Sequence, residues 1–155
     1  MTLEFDRHVR AQWAGKADLY ERSFASLCAG AASSLLDAAE VTVGTKLLDV
    51  GTGPGTVARE AMRRRASVSA VDAERSMVEK TREHVPDVRI GTLPDLPFLD
   101  GTFDAAVANF VINHVGDPAA AVRGMRRVVH TGGMVAVTIW GDSPTRLLFV
   151  DAIDA

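Results

Sequence analysis

Residues Leu47 to Val57 read Leu-Leu-Asp-Val-Gly-Thr-Gly-Pro-Gly-Thr-Val. A short apolar run leads into three alternate glycines, Gly51, Gly53 and Gly55, and a helical pattern follows directly. Glycine allows a tight turn and lets a ligand approach the backbone without meeting a Cβ atom. The first amides of the following helix have no partner within the helix, so they can bind ligand oxygens. The stretch therefore favours a ligand-binding loop over a purely structural turn.

Short apolar runs alternate with amphipathic stretches on both sides of this loop. The runs are rich in Val and Ile and mostly lack polar alternation, which is typical of strands buried on both faces. The predicted strands are Lys46–Val50, Ser67–Val71, Val88–Ile90, Phe103–Asn109 and Met134–Ile139, and the predicted helices are Thr56–Arg65, Ala73–Glu83 and Pro118–Val129. Asp117 can cap the last helix, and Pro118 suits its first position. The alternation predicts a doubly wound α/β domain with a mainly parallel sheet of about five strands.

The segment before the loop has a helical pattern. In residues 6–39 apolar residues recur at spacings of three to five, and Gly15 divides the segment into two helices. We expect residues 1–44 to form an N-terminal helical lid and residues 45–155 to form the α/β core. Cys28 is the only cysteine and lies among Ala and Leu residues, so we expect it to be buried.

Composition limits the class of protein. The chain has 155 residues, is 47% hydrophobic and 24% charged, and carries a net charge of −3, which fits a single globular domain. No apolar run is long enough to span a membrane, and Glu4 and Asp6 argue against a signal peptide, so we expect a cytoplasmic location. The arginines at 63–65 and 123–127 are expected to form solvated helix faces, without nucleic acid as a partner. With one cysteine, no metal site is predicted.

Two carboxylates near the loop indicate the kind of ligand. The third glycine of the dinucleotide pattern is replaced by Thr56, and the lysine of a P-loop is absent. Asp49 lies two residues before Gly51, where a carboxylate would repel a pyrophosphate but suit an ammonium group. Asp72 lies 21 residues after Gly51, where an acid can bind both hydroxyls of a ribose or cap the helix predicted from Ala73. Together they favour a nucleoside that carries an amino acid.

Four stretches of the sequence resemble one enzyme family. They are Asp49–Gly55, Ala70–Met77, Leu96–Asp104 and Arg127–Gly133, in that order. From about residue 45 to about residue 140 the chain is similar to class I S-adenosylmethionine-dependent methyltransferases, above all to the small-molecule enzymes related to ubiquinone and menaquinone biosynthesis. The resemblance implies a Rossmann-like methyltransferase sheet, S-adenosylmethionine as methyl donor, S-adenosylhomocysteine as product and a small-molecule acceptor.

The resemblance also implies which residues bind the donor. Asp49 would lie near the methionine amino group, the Gly51–Gly55 backbone would surround the methionine part, and Asp72 would bind the ribose. Relatives often carry Gly-Asp-Ala after the third strand, but here the triplet is Gly91-Thr92-Leu93, so adenine recognition is weaker or made differently. The cofactor-binding candidates are Asp49, Gly51, Thr52, Gly53, Gly55, Asp72, Ala73, Met77, Thr92, Leu93 and Asn109.

Sheet topology sorts the candidate catalytic residues. Ligands bind beyond the carboxyl ends of parallel strands, which places His84 and His130 at the opposite edge. His114 follows the fourth strand on the correct side, so it is the candidate general base and a candidate substrate contact, with a structural role equally open. His8 lies in the N-terminal lid, where Tyr20 is a candidate acceptor contact and Trp13 and Phe24 are more typical of core residues. Methyl transfer mainly requires alignment and exclusion of water, so an identifiable catalytic residue is not essential.

The C-terminal residues lack the final hairpin of the family pattern. Thr145–Ile153 reads as the start of an amphipathic helix. The fifth strand would then be a sheet edge, open to a second chain or to a homo-oligomer contact. The leading interpretation is an enzyme that methylates a small molecule. The alternatives are a truncated or degenerate donor-binding module without turnover, and a relative that uses the same cofactor for other chemistry.

Overall fold

A computed structural model describes residues 8, 11, 14–23, 25–140 and 147–149. Six helices lie in these ranges: α1 (Ala17–Ser23), α2 (Ala25–Ala29), α3 (Ala32–Ala38), α4 (Thr56–Arg63), α5 (Arg75–Arg82) and α6 (Pro118–Val128). The strands are β1 (Lys46–Val50), β2 (Ser67–Asp72), β3 (Asp87–Ile90), β4 (Phe103–Asn109), β5 (Val129–Trp140) and β6 (Leu147–Phe149), and a 3₁₀ turn spans Ile112–His114.

The strands form one sheet in the order β3-β2-β1-β4-β5-β6. The first five strands are parallel, and β6 is antiparallel to β5. The predicted doubly wound, mainly parallel sheet is therefore confirmed. The strand order reverses between β1 and β4, and a crevice for a ligand opens at such a reversal, beyond the carboxyl ends of the strands.

Alternate residues of β1 face the two helical layers. Leu48 and Val50 pack with Met125 and Val128 of α6 on one face of the sheet. Leu47 packs on the other face, where the second cluster includes residues of α3 and α4. Both faces are therefore covered, which explains why β1 lacks polar alternation. Asp49 is the exception, and its side chain is the starting point of the site described below.

Several boundaries differ from the sequence prediction. β5 begins at Val129 rather than Met134, because Val129 pairs with Phe103 across an irregularity in the ladder. Gly133 allows this close approach, since a Cβ there would lie 2.4 Å from the Asp104 carbonyl oxygen. α4 ends at Arg63, and Arg65 turns the chain with φ of 65°. Asp117 caps α6 as predicted, accepting a hydrogen bond from the Ala120 amide at 2.8 Å.

The prediction of a helix at Thr145–Ile153 is wrong over residues 147–149, which form β6. Thr138 and Trp140 of β5 pair with Phe149 and Leu147, so β5 is not the edge strand at its carboxyl end. The apolar spacing suits a helix, but a short segment beside an open strand gains more by satisfying the unpaired backbone groups of that strand. The other residues of the predicted helix lie outside the described ranges.

The N-terminal helices divide into a packed part and an exposed part. Leu35 and Leu36 of α3 are fully buried in the core, and Cys28 of α2 is buried as expected. Leu19 and Leu27, which fit the apolar pattern of the sequence, are instead 58% and 60% exposed. Within the described ranges no helix has the length and apolar character needed to cross a bilayer.

Two of the arginines at 63–65 form ion pairs within the chain. Arg63 pairs with Glu60 at 2.7 Å, and Arg64 pairs with Asp37 at 2.6 Å. Arg64 also donates to the backbone carbonyl of Ser33 at 3.0 Å. The Arg64–Asp37 pair links the residue after α4 to α3.

Candidate functional site

The glycine loop follows β1 and requires its glycines. Gly51, Gly53 and Gly55 have φ of 66°, 56° and 84°, a backbone region that residues other than glycine rarely adopt. A Cβ at Gly51 would lie 2.4 Å from Val111 Cγ2, and one at Gly55 would lie 3.1 Å from Thr81. The loop is thus held between the turn after β4 and helix α5, with its backbone exposed to the crevice.

Asp49 lies beneath this loop. Its Oδ2 accepts a hydrogen bond from the Thr52 hydroxyl at 2.7 Å and one from the Ala58 amide at 3.1 Å. Complete burial raises the pKa of this carboxyl from 3.8 to about 7, although both hydrogen bonds lower it. The carboxyl therefore joins β1, the loop and the first turn of α4, and it does not line the cavity described next.

A cavity of about 290 Å³ opens at the carboxyl ends of β1, β2 and β4. Its volume lies near the lower end of the range typical of small-molecule sites, roughly 300–1,000 Å³. Nine candidates from the sequence line it: Gly51, Gly53, Asp72, Ala73, Met77, Thr92, Leu93, Asn109 and His114. Asp49, Thr52 and Gly55 do not line it, and Asp49 and Thr52 are buried beneath the surface of the loop.

Asp72 forms part of the cavity wall at the end of β2. Its Oδ2 accepts a hydrogen bond from the Gly53 amide at 2.8 Å, and its Oδ1 accepts one from the Glu74 amide at 2.9 Å. Burial raises the pKa of this carboxyl, and the amide hydrogen bonds oppose that rise. The side chain fixes the glycine loop against the turn after β2 while it faces the cavity.

Sequence reasoning missed Glu74, which also lines the cavity. It caps α5, because its carboxylate accepts hydrogen bonds from the amides of Ser76 at 2.8 Å and Met77 at 3.3 Å. Burial raises the pKa of Glu74, but hydrogen bonds from Ser76, Met77 and the Gly15 backbone outweigh this effect and lower it. The predicted capping role of Asp72 therefore belongs to Glu74, and α5 begins at Arg75 rather than Ala73.

The loop that carries Thr92 and Leu93 is fixed against the core. A Cβ at Gly124 of α6 would lie 2.3 Å from the carbonyl oxygen of Pro94, so the loop packs directly on this helix. Asp95 of the same loop also lines the cavity. Thr92 carries a neutral hydroxyl, and Asp95 is an acidic residue of the same loop that sequence reasoning also missed.

The side-chain amide of Asn109 is occupied within the protein. Its Nδ2 donates to the carbonyl of Cys28 at 3.0 Å, and its Oδ1 accepts from the Thr138 hydroxyl at 2.7 Å. Thr138 is fully buried. Asn109 therefore connects the tips of β4 and β5 to α2, and its role in cofactor binding stays a prediction.

His114 ends the 3₁₀ turn after β4 and faces the cavity, as its position in the sequence predicts. It is half-buried, and burial lowers its pKa from the ordinary value of 6.5. The ring is therefore neutral at pH 7 and can accept a proton. His130 lies at the opposite edge of the sheet, where its Nε2 is 3.2 Å from Asp104.

The N-terminal candidates are described only in part. His8 is exposed. Tyr20 lies in α1, but its side chain is outside the described structure, and Trp13 and Phe24 are also outside it. α1 is joined to α5 by Lys80, whose Nζ lies 3.2 Å from Asp18 and 3.0 Å from Glu21. Among the described residues no group of three or more His, Cys, Asp or Glu could hold a metal ion.

Comparison with known proteins identifies the family. Residues 48–137 match the family model described as a methyltransferase domain. The chain belongs to this methyltransferase family. The match covers the glycine loop, Asp72 and the cavity walls up to β5, so it confirms the resemblance to class I S-adenosylmethionine-dependent methyltransferases.

Named relatives of this methyltransferase domain include two quinone-pathway proteins. The demethylmenaquinone methyltransferase of Paenarthrobacter aurescens (strain TC1) is 32% identical over 105 residues, which cover 66% of this chain and 42% of the relative. The ubiquinone/menaquinone biosynthesis C-methyltransferase UbiE of Geobacter sp. (strain M21) is 37% identical over 117 residues, covering 68% and 49%. The matched part thus spans less than half the length of these relatives.

A solved structure supports the same conclusion. A SAM-dependent methyltransferase of Thermotoga maritima, described as a possible histamine N-methyltransferase, superimposes with a TM-score of 0.66 at 28% identity. The superposition covers 85% of this chain and 60% of that chain. The Rossmann-like methyltransferase fold is therefore shared beyond the residues that match the family model.

Proposed function

We propose that this chain binds S-adenosylmethionine in the cavity and transfers its methyl group to a small-molecule acceptor, leaving S-adenosylhomocysteine. The observation that carries the proposal is the combination of bare backbone at Gly51 and Gly53 with the carboxylate of Asp72 on one wall. Family membership supports the choice of this cofactor over a dinucleotide.

The cavity fits the chemistry of this donor. The Asp72 carboxylate can accept hydrogen bonds from the ribose hydroxyls, while Ala73 and Met77 provide an apolar surface for the adenine. Thr92 and Leu93 face the same region, and Thr92 offers a neutral hydroxyl. Gly51 and Gly53 expose backbone to the cavity for the methionine part, and the lack of a side chain at Gly51 lets Val111 pack closely on the loop.

Asp49 acts from beneath the loop in this proposal. Its hydrogen bonds to Thr52 and Ala58 hold the loop in the conformation that admits the donor. Gly55 serves the same purpose through its left-handed backbone and its tight packing on Thr81. We therefore assign Asp49, Thr52 and Gly55 to shaping the site, together with any longer-range attraction of the Asp49 carboxylate for the donor's ammonium group.

The donor supplies an activated methyl group, so the protein mainly aligns the acceptor and excludes water. Val111 and Val115 give the cavity an apolar wall near His114. His114 is neutral at pH 7 and is the described cavity residue best suited to remove a proton from an acceptor hydroxyl. Tyr20 and α1, part of the predicted lid of residues 1–44, would close the site over the α/β core of residues 45–155.

The relatives' names indicate the class of acceptor to test first. Two of them act in menaquinone or ubiquinone synthesis by name, so a quinol or phenol is our first choice. The cytoplasmic location of the protein stays a prediction. A homo-oligomer stays a prediction too, although β6 covers part of the edge where we expected such a contact.

Calorimetry tests the cofactor class directly. We expect S-adenosylhomocysteine to bind with micromolar affinity and NADH to bind at least tenfold more weakly. Tighter binding of NADH would refute the proposal. A radiolabelled methyl-transfer assay with quinol, phenol and amine acceptors then tests turnover, with the Asp72→Ala protein as the control.

A binding module without turnover is the second candidate. It is favoured by the lining of the cavity, because the donor-binding candidates lie on the first four strands or directly after them. Donor binding in calorimetry together with no transfer to any acceptor of the panel would favour this function over the enzyme.

A further inference from the structure

A buried threonine of α5 binds the glycine loop. Thr81 is fully buried, and its hydroxyl donates to the carbonyl oxygen of Gly53 at 2.7 Å. A threonine hydroxyl inside a helix typically faces solvent or bonds to the carbonyl four residues back in the same helix. Thr81 instead binds a residue that precedes it by 28 positions. This bond connects α5 to the cavity wall, which Gly53 lines.

Gly53 is held at both of its backbone polar groups. Its amide donates to Asp72 Oδ2 at 2.8 Å, and its carbonyl accepts from Thr81. Because glycine has no side chain to restrict its backbone, these two bonds set the orientation of the loop at this point. Asp72 fixes the peptide group before Gly53, and Thr81 fixes the peptide group after it.

The side chain of Thr81 also packs on the next glycine of the loop. A Cβ at Gly55 would lie 3.1 Å from both Cγ2 and Oγ1 of Thr81. A β-branched side chain has few χ1 rotamers in a helix, so this packing and the hydroxyl direction are fixed together. Thr81 therefore contacts the loop at two positions, Gly53 and Gly55.

On the basis of the proposed function, we propose that Thr81 is a positioning residue of the donor site and sets the affinity for the amino-acid part of the donor. Gly53 lines the part of the cavity that we assign to this part of the donor. Without the Thr81 hydroxyl, the Gly53 carbonyl loses its donor, and the peptide group after Gly53 can turn towards the cavity. The wall that we assign to the ribose and adenine keeps its own hydrogen bonds, from the Glu74 amide to Asp72 and from Ser76 and Met77 to Glu74.

Two ligands separate this role from a general effect on folding. S-adenosylhomocysteine carries the amino-acid part, whereas 5′-methylthioadenosine has the same adenosine and sulfur but lacks that part. Thr81→Val has nearly the same shape without the hydroxyl, and we expect it to bind S-adenosylhomocysteine about tenfold more weakly in calorimetry. Its affinity for 5′-methylthioadenosine, measured by NMR titration, should be unchanged, which also shows that the variant is folded. Equal loss of affinity for both ligands, or no loss for either, would overturn the proposal.

Two further variants test whether the hydroxyl is responsible. Thr81→Ser keeps the hydroxyl and should retain most of the affinity for S-adenosylhomocysteine. Ser69→Ala is the matched control, because it removes a hydroxyl that donates to Asp87 at 2.7 Å, and neither residue lines the cavity. It should leave both affinities unchanged. Equally weak binding of S-adenosylhomocysteine to Thr81→Ser and Thr81→Val would refute the role of the hydroxyl.

Hydrogen exchange without ligand distinguishes failure of this inference from failure of the proposed function. The Gly53 amide should exchange faster in Thr81→Val than in Thr81→Ser, because Asp72 alone then holds this residue. Equal exchange of this amide would refute the hold of Thr81 on the loop. Absence of S-adenosylhomocysteine binding to the unaltered protein would refute the donor assignment, and the exchange rates would still decide whether Thr81 positions the cavity wall.

Discussion

Asp72 combines a structural and a ligand-binding role in one carboxylate. It accepts hydrogen bonds from the Gly53 and Glu74 amides. These bonds fix the loops on either side of the proposed ribose position. We expect Asp72→Ala to weaken S-adenosylhomocysteine binding by roughly tenfold to a hundredfold, the effect of losing a hydrogen bond to a charged group. Calorimetry measures this change.

Two variants show whether the loss arises at the ligand. Asp72→Asn keeps one acceptor for the backbone amides and should lose less affinity than Asp72→Ala. Asp87→Ala, at the amino end of β3, removes a carboxylate that bonds to Ser69 and Arg89, and it should leave binding unchanged. An Asp72→Ala protein with unaltered affinity would refute the ribose assignment.

Asp49 makes the stability of the fold depend on pH. Burial raises its pKa to about 7 from 3.8, so the folded chain keeps a proton that the unfolded chain has released between these values. The free energy of unfolding therefore falls as pH rises through this window, by about 2.5 kcal/mol between pH 5 and pH 8. Asp49→Asn should lack this part of the dependence. Urea unfolding of both proteins at pH 5 and pH 8 measures this difference. The same change in the free energy of unfolding in both proteins would contradict the raised pKa of Asp49.

The carboxyl ends of β4 and β5 act as one unit through Thr138. Its hydroxyl donates to Asn109 and accepts from the Phe110 amide. Thr138→Val has nearly the same shape but removes the donor to Asn109 Oδ1, while the Phe110 amide keeps its bond to the Thr138 carbonyl, so we expect a loss of about 1–3 kcal/mol in the free energy of unfolding. Thr102→Val is the matched control, because the Thr102 hydroxyl donates to the Leu99 carbonyl in an exposed loop. Equal urea stability of the two variants would contradict the role of the buried network.

Strands whose bounds depend on residues close in sequence were predictable, whereas strands whose bounds depend on pairing with a distant segment were not. The bounds of β1 and β4 were predicted correctly, because each is a continuous buried run. The start of β5 depends on its pairing with Phe103, and β6 depends on the open edge of β5. Neither dependence is visible in a local pattern, and the apolar spacing of residues 147–153 fits a helix equally well.

In the candidate site, too, local sequence signals were predictable and the effects of distant contacts were not. Glycines at a strand–helix junction and an acid after β2 marked the cavity, because topology alone brings the carboxyl ends of parallel strands together. The left-handed backbone of Phe110 could not be read from the sequence, since it is enforced by Thr138, which lies 28 residues further along the chain. Burial of Asp49 was missed for a similar reason, as it depends on the path of the loop above it.

At the scale of the whole molecule, ion pairs join the described side chains of the N-terminal helix α1 to the core. Leu19 of α1 is exposed, whereas Lys80 of α5 bridges Asp18 and Glu21. These carboxylates raise the pKa of Lys80, the larger effect coming from Glu21. Exposed ion pairs contribute little to global stability and are screened by salt. α1 should therefore separate from the core more readily than the sheet unfolds, as a lid over the donor site requires.

Lys80→Met tests this arrangement, because it keeps the apolar stem and removes the charge. We expect faster hydrogen exchange in Ala17–Ser23 and faster dissociation of S-adenosylhomocysteine, with no change in β1 or in urea stability. Sodium chloride at about 1 M, where the screening length is about 3 Å, should produce the same change in the unaltered protein. Arg63→Met removes a comparable surface pair with Glu60 and should have no such effect. Equal exchange of α1 in all three proteins would show that apolar contacts, rather than Lys80, hold this helix.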